Sequence, residues 1–276
     1  MREGGSKTAL MVAGHRARAT AQGLCNDPWA KLLAGDDGLE ISRLHDRVMP
    51  VGVLWLGIRT AFIDNLLQRL VGAARPQVVV LGAGMDTRAA RLPIAGVRYF
   101  EVDHPLTGAD KQARLAAIPD YPRDCAINVS CDFEREDFLD QLIDAGFSTR
   151  EGAFFIWEGV TPYLTKDAIK TTLCRISSGC HPETILVFDH LGKKLIEGQS
   201  RHGEDHRLCD MFADLGEPWI FGLNDATPLM YETGFRYLRT VSFDEACLQF
   251  TQTYDRQRLF RFQGFVIASV GAELGP

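Results

Sequence analysis

The chain has 276 residues, a length that suits one large α/β domain with insertions. Hydrophobic residues make up 46% of the chain and charged residues 24%, the balance of a folded globular protein rather than a disordered one. The formal net charge of -6 disfavours a nucleic-acid substrate, because affinity for phosphates rests largely on Lys and Arg.

The cysteine and histidine patterns indicate neither disulfides nor a metal site. Seven cysteines are scattered without a CxxC pair or a zinc-like spacing, which is typical of reduced thiols in a cytoplasmic protein. The histidines and acids of residues 202–206 lack a further ligand at a suitable spacing, so we expect no metal there or elsewhere. No apolar stretch approaches the roughly 18 residues that span a bilayer, and we see no secretory pattern, so we expect a cytoplasmic protein without membrane contacts.

The first part of the chain has a sequence typical of helices. This pattern covers residues 6–34, with a break at residues 26–28 where a proline restricts the preceding backbone. A second helix is predicted over residues 51–71, where apolar side chains recur about every four positions. We therefore expect residues 1–75 to form the helical N-terminal part of a single domain that spans residues 1–276.

Short apolar runs then alternate with segments of helical spacing. Seven runs predict buried strands, and they cover residues 78–81, 97–102, 126–129, 153–157, 184–188, 237–241 and 265–270. The alternation predicts an α/β fold with a doubly wound, Rossmann-like, mostly parallel seven-stranded sheet. Residues 191–234 break this rhythm and carry several aromatic side chains, so we predict that they form a lid insertion over the site.

A glycine-rich turn follows the first predicted strand. Gly82 and Gly84 allow a sharp turn and a close approach of the backbone to a ligand. Asp103 ends the second strand 19 positions after Gly84, near the spacing of about 20 residues at which nucleotide-binding sheets place a carboxylate on ribose hydroxyls. Thr87 stands where a dinucleotide motif has its third glycine. Asp86 suits a cationic ligand, such as a sulfonium, better than a pyrophosphate.

Polar residues also follow the later strands. Asp132 could accept from an adenine amino group while Phe133 packs on the base, and Asp132 is equally placed to cap the next helix. Glu158 emerges from a buried strand, where a carboxylate requires a ligand or an arginine as its partner. His190, at the end of the fifth strand, could be a general base, although a structural histidine fits the pattern as well.

Three blocks of the sequence together resemble the leucine carboxyl methyltransferase family. They are residues 80–88 (VLGAGMDTR), residues 100–105 (FEVDHP) with Lys111 after them, and residues 157–164 (WEGVTPYL). The resemblance extends over about residues 6–235, and the bacterial branch of this family includes carboxyl methyltransferases of polyketide biosynthesis.

The resemblance implies that S-adenosyl-L-methionine is the cofactor. Gly82 and Gly84 would approach its methionine part, and Asp103 would take the ribose. The adenine would be held by Asp132 and Phe133.

The resemblance also implies roles near the methyl acceptor. Arg59 matches an arginine that pairs with a carboxylate of the cofactor or the substrate, and Tyr163 matches a tyrosine near the acceptor. Glu158 matches the acid that follows the fourth strand. Gln22 replaces a lysine of the members that methylate a protein C-terminus, which disfavours a protein tail as substrate.

These observations predict an S-adenosylmethionine-dependent O-methyltransferase that acts on a small acid or phenol of secondary metabolism. A carboxylate attacks without a base, and Arg59 and Tyr163 could orient it. A hydroxyl acceptor would instead need a base such as His190. We favour the carboxylate, and the sequence leaves the hydroxyl open.

Two other classes of function are disfavoured. A non-catalytic cofactor sensor would be expected to lose the acids of the site, yet Asp103 and Glu158 are both present. An NAD-dependent oxidoreductase would be expected to have the complete glycine motif, which this chain lacks.

Overall fold

The computed structural model describes residues 5–251 and 261–274. Seven strands form one sheet in the order β3-β2-β1-β4-β5-β7-β6, which confirms the predicted α/β fold and its seven strands. In chain order the strands are β1 Gln77–Leu81, β2 Arg98–Asp103, β3 Ile127–Ser130, β4 Ala153–Trp157, β5 Ile185–Leu191, β6 Tyr237–Ser242 and β7 Gln263–Ser269.

The sheet is parallel except for β7, which runs antiparallel to both of its neighbours, β5 and β6. Every residue of β1 and β4 is buried, because helices cover both faces of the sheet. Val78 and Val80 of β1 pack in the core on one face, whereas Val79 and Leu81 pack in the core on the other. The carboxyl ends of β1, β2, β4 and β5 therefore meet at one edge of the sheet.

The helices fill the segments between the strands. In chain order they are α1 Lys7–Ala21, α2 Ala30–His45, α3 Gly52–Leu70, α4 Arg88–Arg91, α5 Pro105–Ala116, α6 Phe138–Asp144, α7 Lys166–Gly179, α8 Lys193–Ile196, α9 Gly203–Asp214, α10 Thr227–Glu232 and α11 Phe243–Phe250. Short 3-10 helices cover Arg123–Cys125 and Thr161–Tyr163. Within the described ranges, no helix has the length and apolar character needed to cross a membrane.

The N-terminal helices pack against the sheet domain through close contacts. Ser6 caps α1 by accepting a hydrogen bond from the backbone N–H of Ala9. The helices α1 and α2 cross at two glycines, because a Cβ at Gly14 would lie 2.4 Å from the carbonyl oxygen of Gly38. From this crossing, Arg16 of α1 donates to the carbonyl oxygen of Met85 in the turn after β1. The helix α1 is thereby fixed beside the glycine-rich turn.

The tight crossing predicts the effect of a single methyl group. Gly38→Ala should destabilise the protein by about 1 to 3 kcal/mol, because the new Cβ would lie 2.7 Å from the carbonyl oxygen of Leu10. Gly108→Ala is the matched control, since this glycine of α5 has no atom within 4 Å of its Cβ position. The control should stabilise the protein by about 0.5 to 1 kcal/mol. Denaturant unfolding measures both, and equal effects would contradict the close crossing.

Candidate active site

A cavity of about 400 Å³ opens at the carboxyl ends of the parallel strands. Ligand pockets lie at this edge in doubly wound sheets. Nine of the ten residues singled out from the sequence line it. They are Arg59, Gly82, Gly84, Asp86, Asp103, Asp132, Phe133, Glu158 and Tyr163.

The glycine-rich turn requires both of its glycines. Gly82 and Gly84 have φ angles of 66° and 51°, in the left-handed region that other residues rarely adopt. A Cβ on Gly82 would also lie 2.4 Å from Cγ2 of Val160. The backbone N–H of Gly84 donates to the carboxylate of Asp103. This bond joins the turn to the end of β2.

The acids after β2 and β3 both face the cavity. Asp103 also accepts from the backbone N–H of His104 at 2.7 Å, so two N–H groups fix the orientation of its carboxylate. Asp132 accepts from the N–H of Glu134 at 3.1 Å. The prediction that Asp132 caps the next helix is wrong: residues 133–136 form a turn, and the cap of α6 is Asp137.

Glu158, at the end of β4, has the arginine partners that a buried carboxylate requires. Its Oε1 lies 2.9 Å from Nε of Arg59, and its Oε2 lies 2.7 Å from Nη2 of Arg88. These pairs belong to a larger buried cluster of four arginines and five carboxylates, here called the ionic network. Its members are Arg16, Asp27, Arg59, Asp64, Asp86, Arg88, Arg91, Glu158 and Asp189.

The arginines of the ionic network lower the pKa of two of its carboxylates, Asp86 and Glu158. Burial alone would raise the pKa of Asp86, but Arg88 and Arg16 outweigh this effect and lower the pKa to about 2. Burial likewise opposes the ionisation of Glu158, and Arg88 with Arg59 brings its pKa below the ordinary value. Four arginines against five carboxylates leave the network with one formal negative charge.

Arg59 is buried and shared between two carboxylates. Besides Glu158, its Nη1 lies 3.3 Å from Oδ2 of Asp189. Burial lowers the pKa of Arg59, but Asp189 and Glu158 together raise it above its ordinary value. Arg59 therefore stays charged, yet that charge is already balanced by acids of the protein. An anionic ligand would find a fixed donor here rather than an unbalanced cation.

In β5, the residues that line the cavity are the polar Asp189 and the apolar Leu191, whereas the residue singled out from the sequence was His190. Asp189 accepts from the N–H of Gly159 at 2.6 Å and from Nε2 of Gln263 at 2.9 Å. His190 does not line the cavity. Successive side chains of a strand point to opposite faces, so His190 turns away, and its Nε2 lies 3.0 Å from the Cβ position of Gly264. A direct role as base at the acceptor has no support from this placement.

The end of the cavity toward β5 and β7, away from Asp103 and Asp132 at the ends of β2 and β3, is aromatic. Its wall, here called the aromatic wall, consists of Trp55, Tyr163, Phe212 and Trp219. The rings of Phe212 and Trp219 stack with centroids 4.0 Å apart. Burial raises the pKa of Tyr163 to about 12, although hydrogen bonds with Trp219 and Thr8 act in the other direction.

A buried carboxylate closes this end of the cavity. Glu217 accepts from the backbone N–H of Thr8 at 3.1 Å and from the Ser6 hydroxyl at 3.2 Å, and the Thr8 hydroxyl also donates to it. The start of α1 is thereby joined to the loop after α9. The other aromatics of the predicted lid lie elsewhere, since Phe221 packs in the core and Tyr231 is half exposed.

This fold and this site are those of the Rossmann-like methyltransferases. Comparison with known proteins identifies the family within this class. The profile of the family named leucine carboxyl methyltransferase matches residues 8–177. The chain belongs to this family, as its motifs predict.

Relatives and solved structures agree with this assignment. A protein of Parafrankia sp. (strain EAN1pec), named as a candidate S-adenosyl-L-methionine-dependent methyltransferase, is 37% identical over 63% of this chain and 55% of its own length. A protein of Mycolicibacterium vanbaalenii with the same description is 33% identical over 74% of this chain and 76% of its own length. The crystal structure of a candidate methyltransferase from Thermobifida fusca superposes with a TM-score of 0.63 over 87% of this chain and 92% of that chain. At 18% identity, the last comparison concerns the fold.

The ionic network predicts a loss of stability in acid. The pKa of Asp86 lies at about 2 in the folded protein, below its ordinary value of 3.8. A carboxylate whose pKa is lower in the folded protein stabilises the fold at pH values above its ordinary pKa. For Asp86 this contribution is about 2 kcal/mol, and it is lost as the pH falls toward 2. The unfolding free energy of Asp86→Asn should therefore vary less between pH 5 and pH 2 than that of the wild type.

Asp225→Asn is the control for this measurement, since the Asp225 carboxylate is fully exposed and solvent screens its interactions. It should keep most of the wild-type pH dependence. If Asp86→Asn and the wild type had the same dependence, the proposed stabilisation of the Asp86 carboxylate by Arg88 and Arg16 would be incorrect.

Proposed function

We propose that the chain transfers a methyl group from S-adenosyl-L-methionine to the carboxylate of a small acid and so forms a methyl ester. The observation that carries this proposal is the division of the cavity between Asp103 and Asp132 at one end and the aromatic wall with Tyr163 at the other. Among the described residues, no histidine lines the end with the aromatic wall. A carboxylate is the oxygen nucleophile that needs no such base.

The acid end suits the cofactor. Asp103, fixed by two backbone N–H groups, would accept from the ribose hydroxyls, and Asp132 with Phe133 would hold the adenine. The open turn at Gly82 and Gly84 would admit the methionine part. The single negative charge of the ionic network favours a ligand that carries a sulfonium.

The bound cofactor supplies a methyl group that is already activated toward displacement. The chain has to align the acceptor oxygen with the methyl carbon and the sulfur and to exclude water. The aromatic wall would exclude water. The Tyr163 hydroxyl, in this wall, and the Arg59 guanidinium, which lies over the ring of Trp55, would provide donors. Because Glu158 and Asp189 hold Arg59 in place, Arg59 acts as a positioned donor more than as a counter-charge.

Residues 191–234 serve as a lid in this proposal. The loop after α9 contributes Glu217 and Trp219 to the cavity, and its hydrogen bonds to Ser6 and Thr8 connect it to α1. Release of these bonds would open the acceptor end without disturbing the sheet. Such a lid would keep water from the methyl group during transfer.

A second candidate is methylation of a phenol or another hydroxyl. The buried carboxylate of Glu217 favours it, because Thr8 connects Glu217 to the Tyr163 hydroxyl by hydrogen bonds. Such a chain could accept the proton of an acceptor hydroxyl. This candidate predicts a pH-dependent rate, whereas a carboxylate is ionised throughout the neutral range.

The cofactor assignment is tested by binding. Asp103→Ala should weaken S-adenosylhomocysteine binding by about 1 to 3 kcal/mol, because the ribose hydroxyls lose a charged acceptor. Asp120→Ala, an exposed change outside the cavity, is the control and should bind as the wild type does. Isothermal titration calorimetry measures both. Absence of binding to the wild type, or tighter binding of NAD, would refute the proposal.

The acceptor is tested by variant kinetics on the best substrate from a panel of small acids and phenols. Arg59→Lys should lower kcat/KM at least 10-fold, since an ammonium cannot pair with Glu158 and Asp189 as the planar guanidinium does. Tyr163→Phe should lower it by about 10- to 100-fold, the usual effect of removing a hydrogen bond to a charged group. His190→Gln is the control and should retain activity.

The pH profile separates the two acceptor classes. For a carboxylate, the rate should stay level between pH 6 and pH 9. A rate that rises with pH, with phenols preferred and activity lost in Glu217→Gln but restored by alkali, would transfer the assignment to a hydroxyl acceptor.

A further inference from the structure

A cluster of potential metal ligands lies between the middle of α1 and the end of α2, outside the cavity lining. His15 of α1, His45 at the end of α2 and the following Asp46 each present one ligand atom, and these atoms lie within 4.8 Å of one another. We propose that these three residues bind a divalent first-row transition metal, with Zn²⁺ as the best match. The sequence did not predict this site, because 30 positions separate the two histidines.

The cluster contains polar atoms that the protein leaves unsatisfied. Both histidines are fully buried, and Nε2 of His15 lies 3.0 Å from Nδ1 of His45. The other ring nitrogen of each histidine and Oδ1 of Asp46 are buried and have no hydrogen-bond partner among residues 5–251 and 261–274. A buried polar atom without a partner destabilises the fold. Nδ1 of His15 and Oδ1 of Asp46 lie 4.0 Å apart, so one ion could use a lone pair of each. A ring nitrogen of His45 would be the third ligand once its hydrogen bond with His15 is released.

The backbone makes room for the two rings. A Cβ on Gly52, the first residue of α3, would lie 2.8 Å from Cε1 of His15 and 2.8 Å from Nδ1 of His45. Only a glycine allows α3 to begin this close to the pair. The crossing of α1 and α2 at Gly14 and Gly38 brings the two histidines side by side. Three helices thus converge on the cluster.

The chemistry of the donors selects the class of metal. Each imidazole offers a ring nitrogen, the kind of ligand atom that first-row transition metals commonly bind in proteins. Arg18 pairs with Oδ2 of Asp46 and leaves Oδ1 as the ligand atom. Two imidazoles and one carboxylate form a set that suits Zn²⁺, whereas Mg²⁺ and Ca²⁺ prefer oxygen ligands alone.

The site would support the aromatic wall. The ring of His45 stacks with Trp55 at a centroid distance of 6.3 Å and meets Phe212 edge to face at 5.9 Å. Both of these aromatic residues line the acceptor end of the cavity. A metal at His45 would therefore stabilise the fold and fix the acceptor end, while the residues proposed for the cofactor lie elsewhere.

Metal binding is measured on the full chain, first stripped with a chelator and then titrated with Zn²⁺ or Co²⁺. One equivalent should bind, raise Tm by several degrees, and with Co²⁺ produce the visible absorption bands of a low-symmetry site. His15→Gln and His45→Gln should each lose the binding and the rise in Tm. His190→Gln is the matched control, since it removes a mostly buried histidine outside the cluster, and it should bind one equivalent.

The stripped wild type alone keeps the proposal testable if a variant fails to fold. Absence of Zn²⁺ binding and of any change in Tm in the wild type would overturn the site. Binding that survives both His15→Gln and His45→Gln would overturn it as well. These outcomes do not depend on methyl transfer, so they are independent of the proposed function.

Discussion

The pairing of one buried carboxylate, Glu158, with two arginines is the interaction on which the rest of the site depends. A carboxylate at the end of β4 is costly to bury alone, so it requires the charge of Arg59 and Arg88. Each arginine in turn requires a second acid, Asp189 for Arg59 and Asp64 for Arg88. These ion pairs connect α3, the glycine-rich turn, β4 and β5. Removal of Arg88 would leave the buried Asp86 carboxylate without its ion-pair partner, at a cost of about 3 to 5 kcal/mol.

The same network sets what the cavity can bind. Because its arginines are balanced by acids of the protein, the ionic network offers the cavity fixed donors and a slight negative charge. This combination suits a cationic cofactor and does not by itself retain an anion. In the proposed function, selection of the acceptor falls to the aromatic wall, to the hydroxyl of Tyr163 and to the loop that carries Glu217, all of which line the cavity.

The strands β1 and β4 and the residues after them could be predicted because each contains a continuous apolar run that is followed directly by a glycine or an acid, Gly82 and Glu158. The choice of face could not be predicted from such a run. In β5 both faces are buried, so no alternation of polar and apolar residues distinguishes Asp189 from His190. The sequence could not distinguish Asp132 from Asp137 as the cap of α6, because both residues precede a helical pattern. The structure has Asp137 as the cap. The contact of Glu217 with Thr8 joins positions 209 apart, and only the folded chain reveals it.

Carboxyl methylation is the central claim, and the stability of the product tests it most directly. The wild type is incubated with methyl-labelled S-adenosyl-L-methionine and a panel of small acids and phenols, and each labelled product is then treated with mild alkali. A methyl ester is hydrolysed and releases labelled methanol, whereas an aryl or alkyl methyl ether is stable. We predict label that is transferred to acids and released by alkali. Label that is transferred only to phenols and resists alkali would contradict the account.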